Sequence, residues 1–262
     1  MNTRLLFLAL LRDLRIELVC DVGSMNGADA LAFRKRLPRA TVIAWEPNPA
    51  NLQGMRSDRR LVASGVELVA AAAADVDGSA PFFLVPADYP LDDARRGRSS
   101  LYPRDDPEQV LIPVPVPVPT QRLDGALAER GLTSARIALW IDTEGKAYEV
   151  IEGARKIAAQ VQLLHVEVES TPCINARQRL YPDVNRLLVE LGFEQLASDH
   201  SHCNPQFNAV YVRRDQSPES RRRISLCLRR ARLRRGCVAV LRKLCPSCVH
   251  RLATLRDHLA SR

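Results

Sequence analysis

The sequence predicts an α/β fold, a mostly parallel sheet with helices on both faces, and three observations predict it. Short apolar runs of strand length alternate with stretches of helical periodicity from residue 16 to residue 213. The first of these runs, within ELVCDVG, ends in a glycine turn and passes directly into an amphipathic helix. Two later runs, IALWI at 137–141 and LLHVEV at 163–168, are apolar almost throughout, as strands buried on both faces are. A chain of 262 residues, 46% of them hydrophobic, holds one sizeable domain and an appendage, here residues 1–215 and 216–262.

The elements follow in order. Residues 1–11 contain LLFLALL, too short for a membrane span and without a small-residue cleavage site, so they read as a helix packing on the sheet. Residues 16–20 form the first strand, ending in Asp21, and a helix follows through Leu31, Phe33 and Leu37. Residues 41–46 form the second strand, 49–60 one helix and 66–70 the third strand. Asp77-Gly78 marks a turn before a short strand at 81–85, and the polar stretch 88–106 reads as a loop over the site. In VLIPVPVPVPT, residues 110–120, proline at alternate positions removes N–H donors along one edge, which forbids a central strand and leaves an edge strand or a polyproline segment. Helices at 121–130 and 145–159 flank the strand at 137–141. A helix at 181–191 and strands at 193–197 and 208–213 close the sheet.

The charge is local. Residues 221–262 hold 13 Lys or Arg and one acid, Asp257, a charge of +12, whereas the remaining residues carry −4. A nucleic-acid reader spreads its basicity over the main domain, so that domain is expected to bind a small or neutral molecule and no nucleic acid. The tail carries Leu241, Leu244, Cys248, Leu252, Leu255 and Leu259 at helical spacing, interrupted at Pro246. It packs on the domain, on a second copy in a homodimer, or peripherally on an anionic membrane or acidic glycan; the competing reading is a solvated basic helix with no partner. Seven cysteines, odd in number and irregularly spaced, suggest no disulfide framework, and a cytoplasmic setting is expected.

The ligand is decided by what the glycine turn lacks. A dinucleotide fingerprint needs G-x-G-x-x-G, and Met25 fills the place of its middle glycine. What stands here is D-x-G-x-x-x-G, Asp21 to Gly27, with Glu46 at the end of the next strand. Glu46 can accept both hydroxyls of a ribose, and Asp21 is placed to hold an ammonium group. A ribose and an amino-acid end without a pyrophosphate describe S-adenosylmethionine. The competing reading is an ordinary α/β turn whose carboxylates cap helices.

Four blocks then carry a family resemblance: CDVGSMNG with AWEPNPANL, VELVAAAAADVDG, PVPTQRLDGAL, and LWIDTEGKAYEVIEGA followed by LLHVEVE. Over residues 18–213 the chain resembles the FkbM family of methyltransferases. The I-D-x-E-G block is the most specific part of the likeness. The resemblance implies a Rossmann-like class I methyltransferase sheet of seven strands, followed by the basic helical tail. It implies a cofactor set of Asp21, Gly23, Ser24, Asn26, Gly27, Glu46, Pro47, Asn48, Ala72 and Asp75, and methylation of a hydroxyl on a small-molecule, secondary-metabolite or glycan acceptor. Trp140, Tyr148 and the Ser24-Met25 pair depart from the family pattern.

Methyl transfer from a sulfonium is an in-line displacement, so the protein must place an acceptor oxygen and remove its proton. Asp142, at the end of a buried strand, is the first candidate for that base, with Glu144 two residues on and Glu167 and His165 on the following strand. Asp142 and Glu167 together could hold Mg²⁺, an ion that takes oxygen ligands. The opposing reading is a catalytically drifted fold serving as a membrane- or glycan-associated binding module.

Overall fold

The computed structural model describes residues 1–85, 97–105, 115–201 and 203–244, with 232–244 as backbone alone. The helix expected in LLFLALL is α1 (Thr3–Asp13), which Asn2 caps by accepting the Leu5 N–H. Then come β1 (Leu18–Val22), α2 (Ala28–Arg36), β2 (Thr41–Trp45), α3 (Pro49–Ser57), α4 (Arg59–Ser64) and β3 (Glu67–Val69). The expected single helix at 49–60 is two. Asp58 stays extended and turns its carboxylate onto the Arg60 N–H, which ends α3 and starts α4.

A small sheet follows, built from β4 (Ala72–Ala73), β5 (Gly78–Phe82) and β6 (Val116–Gln121). The expected strand at 81–85 begins earlier, because Asp77 accepts the Arg122 N–H and draws the turn against the end of β6. Strand β6 corrects the expectation of an edge, since it is the middle strand, in the order β4-β6-β5. The proline argument still locates the pairing. Strand β4 meets β6 only at Thr120 and Gln121, beyond Pro117 and Pro119, while β5 runs along the whole of it. Both prolines are exposed, and Val118 and Thr120 point inward. Residues 110–114 of that stretch lie outside the described residues.

The remaining elements are α5 (Leu123–Glu129), β7 (Ile137–Ile141), α6 (Ala147–Glu152), a 3₁₀ turn (Arg155–Ile157), β8 (Val161–Glu169), α7 (Tyr181–Glu190), β9 (Phe193–Ser198), β10 (Gln206–Arg213) and α8 (Pro218–Leu244). The main sheet has seven strands in the order β3-β2-β1-β7-β8-β10-β9. Strand β10 is antiparallel to both its neighbours, and the other pairs are parallel. Strands β1 and β7 are buried at every position, because helices cover both faces.

One face packs Leu18, Cys20, Leu139 and Ile141 against α5, α6 and α7. The other packs Val19, Ala138 and Val210 against α1, α2 and α8. On that second face Phe7, Phe33 and Trp140 form an aromatic cluster with ring centroids 5.2 to 5.5 Å apart. Ile224 and Cys227 of α8 belong to the same core, so the first turns of the tail rest on α1. The tail beyond Leu244, with Pro246 and two of its cysteines, lies outside the described residues. No described helix is long and apolar enough to cross a membrane.

Candidate active site

Strand β1 pairs with β2 on one side and with β7 on the other, so the connections leaving β1 and β7 part at this point and open a crevice at the carboxyl ends of the strands. The glycine turn after β1 forms its floor. Gly23 has φ +84°, and a Cβ on it would lie 1.8 Å from the Asp142 carbonyl oxygen, so no other residue fits. The Gly23 and Ser24 N–H groups both donate to the Trp45 carbonyl at 3.0 Å. The Met25 N–H donates to Glu46 Oε2 at 2.7 Å. Glu46 Oε1 takes the Asn48 N–H at 2.8 Å and the Asn51 amide at 3.3 Å. Burial raises the Glu46 carboxyl to about 7, against the pull of those N–H donors.

Gly23, Glu46, Pro47 and Ala72 line this first crevice, with Phe82 and Leu101 among its apolar walls. A second crevice adjoins it, lined by Arg98, Arg104, Glu167, Asn204 and Gln206. Gly23, Met25, Gly97, Asp142 and Glu144 line both. The Asp142 N–H donates to the Val22 carbonyl, which fixes this residue beside the glycine turn. Carboxylate oxygens of Asp142, Glu144 and Glu167 lie within 4.8 Å of one another.

Like charges that close cannot all stay ionised. Burial and the Glu144 charge raise Asp142 to about 6, although contact with Glu167 opposes the shift. Burial, with Asp142, Glu144 and Glu169 as neighbours, carries Glu167 well above the usual carboxylate range. Glu169 rises to about 7, through burial and Glu144. Glu144 is the anchored member. Arg104, with its side chain 3% exposed, donates to Glu144 Oε2 at 2.5 Å, and Ser100 Oγ donates to the Glu144 carbonyl at 2.7 Å. Glu144 has φ +48°, a left-handed conformation followed by Gly145 in the same region.

Other expected residues support the crevice without lining it. Asp21, expected at an ammonium group, lies beneath the turn and accepts from Ser24 Oγ at 2.6 Å. Burial raises it to about 8. Asn26 accepts the Ala28 N–H in the turn before α2, Asn48 caps α3 through Ala50, and Gly27 stands at the N-cap of α2 against Leu61. Asp75 is exposed on the turn between β4 and β5. His165 does not reach either crevice. It stacks on Trp140 with centroids 3.6 Å apart, beside Phe7, and burial lowers it to about 3, so it is a neutral core residue. Trp140 and Tyr148, where the chain departs from the family pattern, line neither crevice.

Sequence reasoning missed Arg104, Lys146 and Gln206. Gln206 Nε2 donates to Glu167 Oε1 at 2.7 Å and reaches Glu169 Oε1 at 3.5 Å. Lys146 lines the first crevice, with its ammonium 3.0 Å from Glu149 and over the Tyr102 ring. Arg104 lies in the stretch read as a loop over the site, but in a chain with 34 Arg and 4 Lys one arginine carries no signal.

Residues 21–194 match the family described as Methyltransferase FkbM domain. The 2-O-methyltransferase NoeI of Sinorhizobium fredii (strain NBRC 101917 / NGR234) is 25% identical over 152 residues, 57% of this chain and 62% of that protein. The match thus spans less than two thirds of that relative's length. Among solved structures, the N-terminal domain of EvdMO1 in the presence of SAH and D-fucose has a TM-score of 0.43 at 14% identity, over 82% of this chain and 84% of that one. Precorrin-6y C5,15-methyltransferase from Geobacter metallireducens GS-15 has a TM-score of 0.38 at 14% identity, over 78% and 84%.

Proposed function

The chain belongs to the FkbM methyltransferase family, and from that premise we propose that it transfers the methyl group of S-adenosylmethionine to a hydroxyl oxygen of a small-molecule or glycan acceptor. The observation that carries the reading is the meeting of two crevices at Asp142. The first fits the cofactor. Its walls of Val22, Ala71, Phe82 and Leu101 suit a flat purine, and Glu46 stands at the strand end where a ribose is held. Glu46 Oε2 accepts one N–H bond and keeps a lone pair for a hydroxyl, while Oε1 takes the Asn48 N–H and, at a longer 3.3 Å, the Asn51 amide that a second hydroxyl would displace. Pro47 and Ala72 complete that wall, while Asp21, Ser24, Asn26, Gly27 and Asn48 hold its shape.

Bound there, S-adenosylmethionine supplies an electrophilic methyl carbon, whose bond to sulfur breaks as the acceptor oxygen bonds to it, leaving S-adenosylhomocysteine. Asp142 faces both crevices and takes the hydroxyl proton. Its carboxyl, raised to about 6, is ionised at neutral pH yet more basic than a free carboxylate. Arg104 neutralises Glu144, which leaves Asp142 and Glu167 as the pair that deals with the acceptor. A drifted binding module would have no need to keep these three carboxylates converging on one crevice.

Asp142→Asn preserves shape and removes the base. It should bind S-adenosylmethionine as the native chain does, while turnover falls by about 100-fold or more. Asp142 and Glu167 share their space with a proton or with Mg²⁺, and chelation separates the two. Activity that survives EDTA assigns the proton, and loss restored by Mg²⁺ assigns the metal. Native turnover in Asp142→Asn would remove Asp142 from the mechanism.

The division at residue 215 is one of roles rather than of cores. Residues 1–215 carry the crevices. The extension, residues 216–262, shares the α1 core through Ile224 and Cys227 and offers its basic charge to an anionic surface.

A further inference from the structure

Resting on the reading above, we propose that Glu167, held by Gln206, is a specificity-determining residue that selects acceptors bearing a second free hydroxyl on the carbon next to the one methylated. The argument begins with how Glu167 is fixed. Strands β8 and β10 pair antiparallel with Asn208 opposite Glu167 and Gln206 opposite Glu169. From that register the Gln206 amide reaches across to Glu167 Oε1 at 2.7 Å. One oxygen of Glu167 is therefore anchored, and the carboxyl as a whole lines the second crevice beside Asp142.

Asp142 and Glu167 line the same crevice with carboxylate oxygens within 4.8 Å of each other, so two acceptors face one small space. A ligand that enters between them has to bring donors for both. A single hydroxyl supplies one donor and leaves the other carboxyl without a donor from the ligand. Two hydroxyls on adjacent carbons supply two. Acceptor oxygens within 4.8 Å of each other, each reached by an O–H···O bond of about 2.7 Å, can both be met by hydroxyls on neighbouring carbons. Glu144 is already held by Arg104, so it does not compete for the second hydroxyl.

The test offers methyl pyranosides in pairs that differ only in whether the hydroxyl next to a given position is free or removed. Product mapping with labelled S-adenosylmethionine should find methyl only where the neighbour is free, with kcat/KM falling by at least about 100-fold when it is removed. In Glu167→Gln, and independently in Gln206→Ala, that ratio should shrink to about threefold or less. Ligand-observed NMR of the same pairs on the cofactor-free chain reads the preference without turnover. Equal turnover of both members by the native chain overturns the proposal, as does an unchanged ratio in both variants. If calorimetry detects cofactor binding but no pyranoside is methylated, the diol proposal falls and the cofactor reading stands; absence of cofactor binding overturns both.

Discussion

Glu46 shows how one side chain can serve two purposes. It ties the glycine turn to the end of β2 through the Met25 and Asn48 N–H groups, and it faces the crevice. Glu46→Gln keeps the shape but weakens every bond the carboxylate accepts, and it should loosen S-adenosylmethionine by about 10-fold or more in calorimetry. Its carboxyl belongs to a set raised by burial, with Asp142 at about 6, Glu46 and Glu169 at about 7 and Asp21 at about 8. A carboxyl whose pKa is higher in the folded chain holds its proton more tightly there, so stability is greatest below the ordinary carboxylate range of about 4. It is lost as pH rises through about 6 to 8. Within the range where the cofactor-free chain stays folded, its Tm should therefore fall between pH 5 and pH 8, and Glu167→Gln should flatten that slope. The acids at the strand ends were legible from spacing alone, because strand-end placement is a local property. Arg104 and Gln206 were not, since their roles depend on which distant residues the sheet brings beside them.

At the scale of elements, the turn between β1 and α2 is where sequence and structure agree most closely, and a single methyl group tests it. Gly23→Ala sets a Cβ against the Asp142 carbonyl and forces a positive φ on alanine, and it should cost about 2 kcal/mol or more in chemical denaturation. The strands of the main sheet were readable because burial on both faces demands continuous apolar runs. Strand β6 was misplaced for a definable reason. Its prolines do forbid a partner along one edge, but the two residues after them accept one, and nothing local announces that β4 will reach so far. The break at Asp58 was likewise hidden, since a lone aspartate inside a helical pattern reads as a surface residue until its carboxylate is found on the Arg60 N–H.

For the molecule as a whole, the ends of the described chain meet. Helix α1 lies between the sheet and α8, and Ile224 and Cys227 close that side of the core. A chain ending at Gln216 should therefore melt lower than one ending at Ala231, which keeps both residues. Full-length protein should float with anionic vesicles at low salt and be released as the Debye length falls below about 10 Å, whereas the chain ending at Ala231 should float less. Equal flotation of the two at low salt would leave residues 232–262 without that role.

The seat of α1 sets the order in which the chain can fold during synthesis. The first helix rests on β8 and β10, and its start is held by the Ser198 carbonyl at 3.3 Å from the Met1 amine and by Asp199 at 3.2 Å from Thr3. Ser198, Asp199 and β10 are made about 200 residues later, which at about 5–20 residues per second is a wait of about 10–40 s. Through that interval the face of α1 that meets β10 stays uncovered, with Phe33 of α2 already at hand for Phe7. The apolar face of α1 is thus made well before the strand that completes its cover.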